Sequence, residues 1–140
     1  MNLNKRNLKK IKGDASFRTF FRQRSNNQDK ILVYSQKEKK KNLLIYDAIN
    51  KILLKNHILA PKLLNQYYDN NFIEINDFGD ISIYNVLKKV KKNRLNIFKK
   101  IILILINIQK IKTKEIKTFL QTKYKIPFYS NKIILNEANL

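Results

Sequence analysis

Gly13-Asp14-Ala15-Ser16-Phe17-Arg18-Thr19-Phe20-Phe21-Arg22 is the stretch that decides how this chain is read. It contains one of only two glycines, a short run of small and polar residues, and then an alternating aromatic and basic segment. Small residues let a turn bring backbone N–H groups against a ligand. Beyond the turn, Phe17, Thr19 and Phe21 fall on one face of a strand, and Arg18, Phe20 and Arg22 on the other. The sequence thus predicts a strand over Leu8–Lys12, a tight connection at Gly13–Ser16, and a returning strand over Phe17–Arg24.

Working outward, Ser25-Asn26-Asn27-Gln28-Asp29 is a polar turn, and Ile31-Leu32-Val33-Tyr34 is a third, β-rich strand. Leu44, Ile45, Ala48, Ile49, Ile52 and Leu53 recur at helical spacing and predict a helix from about Lys37 to Asn56. Asn56 and Pro61 mark its end. Lys62–Tyr68 and Phe72–Asp77 read as two more strands joined by Asp69-Asn70-Asn71. Phe78-Gly79-Asp80 breaks the pattern, and helices are predicted at about Ser82–Lys92 and Leu95–Lys112. The expected fold class is therefore α+β: a five-stranded antiparallel sheet with one helix, followed by further helices.

Composition narrows the function classes. The 140 residues include 30 Lys and Arg against 10 Asp and Glu, a net charge of +20. Such a balance attracts nucleic acid and other anions. Yet Lys, Ile and Asn together make 65 residues, and Arg supplies only 5 of the 30 cations. That bias follows AT-rich codons. A dedicated nucleic-acid surface draws more heavily on Arg, whose fork reads phosphate and guanine. Phe17, Phe20 and Phe21 have faces that suit base stacking, but strand alternation favours core packing for them. With no cysteine there is no disulfide, thiolate nucleophile or Cys-based metal site. The stretch after Met1 is polar and basic, and the longest apolar run, Ile101–Ile108, is too short to span a bilayer. The expectation is a cytoplasmic protein without a membrane partner.

The Gly13–Arg22 run resembles the Gly-Asp-Ala-Ser-Phe-Arg-x-Tyr-Phe-Arg signature of the aminoglycoside phosphotransferase family, with Phe20 in place of the usual Tyr. Within that kinase-like family it is most similar to the bacterial amino-sugar kinase branch, which includes N-acetylmuramate/N-acetylglucosamine kinases. Phe72–Asp80 resembles the family segment ending Leu-Glu-Asp-Leu-Gly-Asp, with Asn76 where Glu is usual, and Ala60-Pro61 precedes it as a Pro does in the family. The resemblance implies a protein-kinase-like N-terminal lobe at 1–77, a hinge at 78–80 and the first helices of an incomplete helical C-terminal lobe at 81–140. It implies ATP as ligand, with Gly13, Asp14, Ala15, Ser16, Phe17 and Arg18 over the phosphates and Asn76, Asp77 and Phe78 along the adenine edge. It also implies Mg²⁺ and a sugar or amino-sugar hydroxyl as acceptor. Protein kinases carry a phosphate-gripping Lys at the end of the third strand. Tyr34 stands at the matching place, as the amino-sugar branch also lacks that Lys, and Lys30 and Lys37 are nearby candidates.

The transfer machinery is missing from the sequence. Phosphoryl transfer needs a catalytic Asp and side chains for Mg²⁺. No Asp follows Asp80, the only His is His57, and Glu115 and Glu137 are the last carboxylates. No catalytic or metal residue is assigned, and the chain alone is expected to be inactive. Leu95–Ile111 is apolar nearly all round, which predicts burial on nearly all sides. Three readings follow: the N-terminal part of a small-molecule kinase, a non-catalytic degenerate or split kinase-like binding protein, and, ranked last, a basic nucleic-acid-binding domain.

Overall fold

The computed structural model describes residues 8–11, 17–24, 29–89, 93–127, 130 and 135–136. Strands β1 (Leu8–Ile11), β2 (Arg18–Gln23) and β3 (Lys30–Ser35) form an antiparallel meander. A 3-10 turn at Lys37–Lys39 leads into helix α1 (Lys41–Lys55), and strands β4 (Leu63–Tyr67) and β5 (Phe72–Asn76) follow. β5 pairs with both β3 and β4, so the five-stranded antiparallel sheet has the order β1-β2-β3-β5-β4. Helices α2 (Ile83–Lys89) and α3 (Arg94–Gln109) come next. A two-stranded hairpin, β6 (Glu115–Lys117) with β7 (Lys123–Lys125), was not anticipated from the sequence.

The two central strands explain the order. In β3, Ile31, Leu32 and Val33 are all buried, as are Phe72, Ile73, Glu74 and Ile75 in β5. Strands covered on both faces read as continuous apolar runs, and these two hold the middle of the sheet. The edges fall to β1, which carries Lys9 and Lys10, and to β4, which follows Pro61. α1 lays Leu43, Ala48 and Ile52 into the interior. Leu43 joins Ile31, Val33, Ile73 and Ile75 in the core, with Ile11, Phe20, Tyr46, Leu63, Tyr68 and Phe119 around them.

Local chemistry sets the ends. After α1, Ile58 N–H donates to Leu53 O at 2.9 Å and His57 N–H to Leu54 O at 3.1 Å, while His57 sits at φ 59°. This is a Schellman closure with His57 in the left-handed position that Gly usually takes. His57 is thus a helix-end residue, as its place in the sequence suggested. Ser35 ends β3 fully buried; its Oγ donates to Lys39 O at 2.9 Å and its N–H to Asn71 O at 3.0 Å.

The unexpected hairpin is tied to α1. Asp47 accepts the Phe119 N–H at 3.1 Å and an ion pair from Lys51 at 2.7 Å, and the Phe119 ring meets Tyr68 edge-on at 5.8 Å. Asp47 therefore belongs to the packing of 115–125. Among the described residues no helix is long and apolar enough to cross a membrane.

Candidate functional site

Four sheet strands, α1 and the segment after β5 line a cleft of about 370 Å³. Ile11, Phe20 and Ile31 form its sheet wall, Tyr46 its α1 wall, and Ile75 through Ser82 its far rim. The local rules are simple. β2 alternates, so Arg18, Phe20 and Arg22 all point to the α1 side; Phe20 meets the Tyr46 ring edge-on at 6.1 Å and Arg18 lies 4.9 Å from its centroid. β5 alternates too, so Ile73 and Ile75 share that face.

The rim is fixed by one arginine. Arg22 Nη2 donates to Asp77 Oδ1 at 3.0 Å, its Nε donates to Asp77 Oδ2, and its Nη1 donates to Asp80 Oδ1. Such a fork onto a carboxylate is the geometry that Arg alone provides. Gly79 N–H also donates to Asp77 Oδ1, at 2.8 Å, while Gly79 turns the chain at φ 79°. Space for a Cβ is open there, so glycine is required by the backbone angle and not by a close neighbour. The Arg22 and Asp77 side chains are 10% and 7% exposed and Asp80 is 79% exposed, so the buried half of the cluster is Arg22–Asp77.

These contacts fix the charges. Burial pushes the Asp77 carboxyl up, but the Arg22 fork, the Gly79 N–H and the charge of Arg24 outweigh it and hold Asp77 below the usual carboxylate range. Hydrogen bonds to Asp77 and Asp80 push the already high pKa of Arg22 higher. Burial raises the Tyr46 hydroxyl, opposed by a hydrogen bond with Asn50 and by the charge of Arg18. Arg22 is the one cation among the described cleft-lining residues, and two carboxylates answer it. This end of the cleft is unsuited to phosphate.

Its backbone edge is better suited to a polar ring. Asn76 is committed to β4: its N–H donates to Lys62 O at 3.2 Å and its Oδ1 accepts from Lys62 N–H. Among the described residues, the N–H and C=O of Asp77 and Phe78 enter no backbone–backbone bond. They edge a cleft whose sheet side is aliphatic and aromatic.

The residues named from sequence divide as follows. Asn76, Asp77 and Phe78 line the cleft. Arg18 lies outside the lining, against the ring of Tyr46, which does line it; Phe17 is 66% exposed, also outside the lining, and has Lys39 over its ring. Gly13, Asp14, Ala15 and Ser16 lie outside the described residues. Arg22 is a buried, doubly paired charge, a role the sequence did not assign; its partners lie 55 and 58 residues away, beyond any local signal. Two sequence readings need correction. Tyr34 does not face α1. It lines a shallow groove on the opposite sheet face with Leu8, Phe21, Leu32 and Phe72, because one residue of register exchanges the faces of a strand. Lys30 lies on that opposite face as well, paired with Glu74 at 3.3 Å, so it does not serve the cleft.

Among the described residues no group of three or more His, Asp or Glu side chains gathers into a metal site. Asp77 and Asp80, the carboxylates in the cleft, are held by Arg22. Mg²⁺ does not fit the donor set present. No protein-family model matches this chain, and a search of curated proteins finds no relative.

Proposed function

We propose that this chain is the ATP-binding part of a kinase-like small-molecule phosphotransferase that acts on a sugar or amino-sugar hydroxyl. The observation that carries the proposal is the cleft itself. Its apolar wall of Ile11, Phe20 and Ile31 shares the cleft with Asp77 and Phe78, whose N–H and C=O groups enter no backbone–backbone bond among the described residues. An adenine ring needs an apolar slot and one donor and one acceptor along an edge. The family signature at Gly13–Ser16, which lies outside the described residues, supports the same reading.

Electrostatics orient the nucleotide within this reading. Arg22, the cation at the Asp77 end, is already engaged by two carboxylates, which leaves that end poorly suited to a phosphate. Arg18 stands at the other end of the same strand face, four residues from Arg22, against the Tyr46 ring. Adenine would lie toward Asp77 and the phosphates toward Arg18. Bound ATP supplies the transferable phosphoryl group; this chain's residues bind and orient the nucleotide and keep water from its base. Among the described residues no group of three or more His, Asp or Glu side chains gathers at the cleft. On this reading the chain holds the nucleotide and the transfer groups lie elsewhere, which keeps the non-catalytic, split-kinase reading as the second proposal. Use of ATP would put the protein in the cytoplasm.

The test is a titration of the purified chain with ATP, adenosine and inorganic triphosphate, followed by calorimetry. ATP and adenosine should saturate a single site, and Ile11→Trp, which fills the slot from an edge strand, should weaken both by about tenfold or more. Triphosphate binding as tight as ATP, or equal adenosine affinity in Ile11→Trp with its thermal transition intact, would overturn the reading.

A further inference from the structure

We propose, resting on the nucleotide reading above, that Arg22 determines which purine the cleft accepts: by engaging Asp77 it withholds a carboxylate from the base and so favours adenine over guanine. Arg22 and Asp77 both line the cleft, beside the Asp77–Phe78 backbone at which the base is read.

A free carboxylate at that edge would choose differently. An ionised carboxylate only accepts hydrogen bonds, on two oxygens with roughly four acceptor positions. Guanine presents two adjacent donors, its N1–H and its 2-amino group, which a carboxylate takes as a pair. Adenine presents an acceptor nitrogen at the matching ring position and no 2-amino group, so two acceptors would meet. A site whose buried acceptor is left unanswered rejects the base that fails to answer it. A bare Asp beside the base would therefore select guanine.

Asp77 is not bare. Its Oδ1 accepts from Arg22 Nη2 at 3.0 Å and from Gly79 N–H at 2.8 Å, and its Oδ2 accepts from Arg22 Nε. Three of its roughly four acceptor positions are thus taken, and the side chain is 7% exposed. Asp80 takes Arg22 Nη1, so the guanidinium is held from a second side and stays on Asp77. The rigid fork also fixes the plane of the carboxylate. What remains for the base is the backbone N–H and C=O of Asp77 and Phe78, which enter no backbone–backbone bond among the described residues. Adenine offers an amino donor beside a ring-nitrogen acceptor and needs no more than these. Lysine would not serve in place of Arg22, because an ammonium is a point charge that covers one oxygen and leaves the other open.

The test is calorimetric titration of the purified full chain with adenosine, inosine and guanosine at about pH 8, well above the carboxylate range. Inosine is guanosine without the 2-amino group. In the unaltered chain adenosine should bind, and guanosine should bind no tighter than inosine, because no carboxylate meets the 2-amino group. In Arg22→Lys the guanosine-to-adenosine affinity ratio should rise about tenfold or more, and guanosine should overtake inosine by a similar factor. Arg22→Lys with Asp77→Asn should lose that gain, since the released acceptor is gone. These ratios separate specificity from a general loss of structure, which weakens all three nucleosides together. Guanosine binding about tenfold tighter than inosine in the unaltered chain overturns the inference with no variant needed. An unchanged ratio in Arg22→Lys with its thermal transition intact overturns it too. In both cases adenosine binding leaves the nucleotide reading in place. Failure of the unaltered chain to bind adenosine overturns that reading, and the role of Arg22 falls with it.

Discussion

Between Leu8 and Asp80 the large apolar residues of the central strands are covered and the buried charges are paired. Between Ile81 and Ile108 the large apolar residues of α2 and α3 mostly face outward. The acidic residues divide the same way: eight of the ten stand at or before Asp80, and none lies between Ile81 and Lys114. The first region closes a core around Leu43, Val33 and Ile73 and can spend Asp47, Glu74 and Asp77 on buried cations and N–H groups. The second has no such closure. The contrast teaches that the sheet and α1 are stabilised by their own contacts, while α3 presents apolar surface that the described residues leave uncovered.

The contrast breaks most sharply in the core. Leu43→Ala should cost about 3–4 kcal/mol, the range for a truncated buried Leu whose site cannot collapse. Leu43 is fully buried against the sheet, so urea denaturation should show a lower midpoint with the slope unchanged. A midpoint shift no larger than that of an α3 variant would remove the distinction between the regions.

Arg22→Ala comes next. It leaves Asp77 buried with only Gly79 N–H as partner and should cost about 3 kcal/mol, because an orphaned buried charge is worse than no pair. Asp80→Ala removes the exposed arm of the same cluster and should cost about 0.5 kcal/mol or less. A pH series sharpens the point. Asp77 is held below its ordinary value when folded, so between the two values the unfolded chain binds the extra proton. The stability it contributes is complete above the ordinary Asp range, about pH 4, and is lost as pH falls through the lower folded value. Asp77→Asn should flatten that acid limb in thermal melts from pH 5 to pH 2, and an unchanged limb would assign it to other carboxylates.

Much of the first region was legible because its signals are local. The apolar runs of β3 and β5, the helical spacing of α1 and the break at Gly79 each sit within a few residues of the structure they cause. The face of β2 that carries Phe20 toward α1 follows from alternation alone. What was hidden is non-local or unsignalled. Arg22 finds its carboxylates across the sheet, and one-residue register decides that Tyr34 turns away from the cleft. The β6–β7 hairpin has three-residue strands and turns with Gln121 at φ 60°, where a Gly or Asn would have announced it. Its anchor, the Asp47–Phe119 hydrogen bond, again spans most of the chain.

Gly79→Ala is a smaller perturbation at the boundary between the two regions. No atom crowds the position, so any cost comes from holding a Cβ-bearing residue at φ 79°, about 1 kcal/mol. If the turn relaxes, the Gly79 N–H to Asp77 bond lengthens and the Asp77–Phe78 edge moves. Ligand affinity at the cleft should then fall more than global stability does, a split that a surface loop with no site would not show.

Ile104→Asn should have the smallest effect on the isolated chain and is the most discriminating. Ile104 is 49% exposed, so replacing it removes little buried apolar area, and urea denaturation should shift by about 0.5 kcal/mol or less. The same substitution inside a covered helix would cost several times that, because it would place an amide among apolar neighbours. A large loss in the chain alone would mean that α3 already packs against the rest of the molecule. A negligible loss, with reduced tendency to aggregate on concentration, would mean that the apolar face is open in solution and costs solubility rather than stability. The two regions would then differ in what their apolar residues do: cohesion in the sheet, and exposed surface in α3.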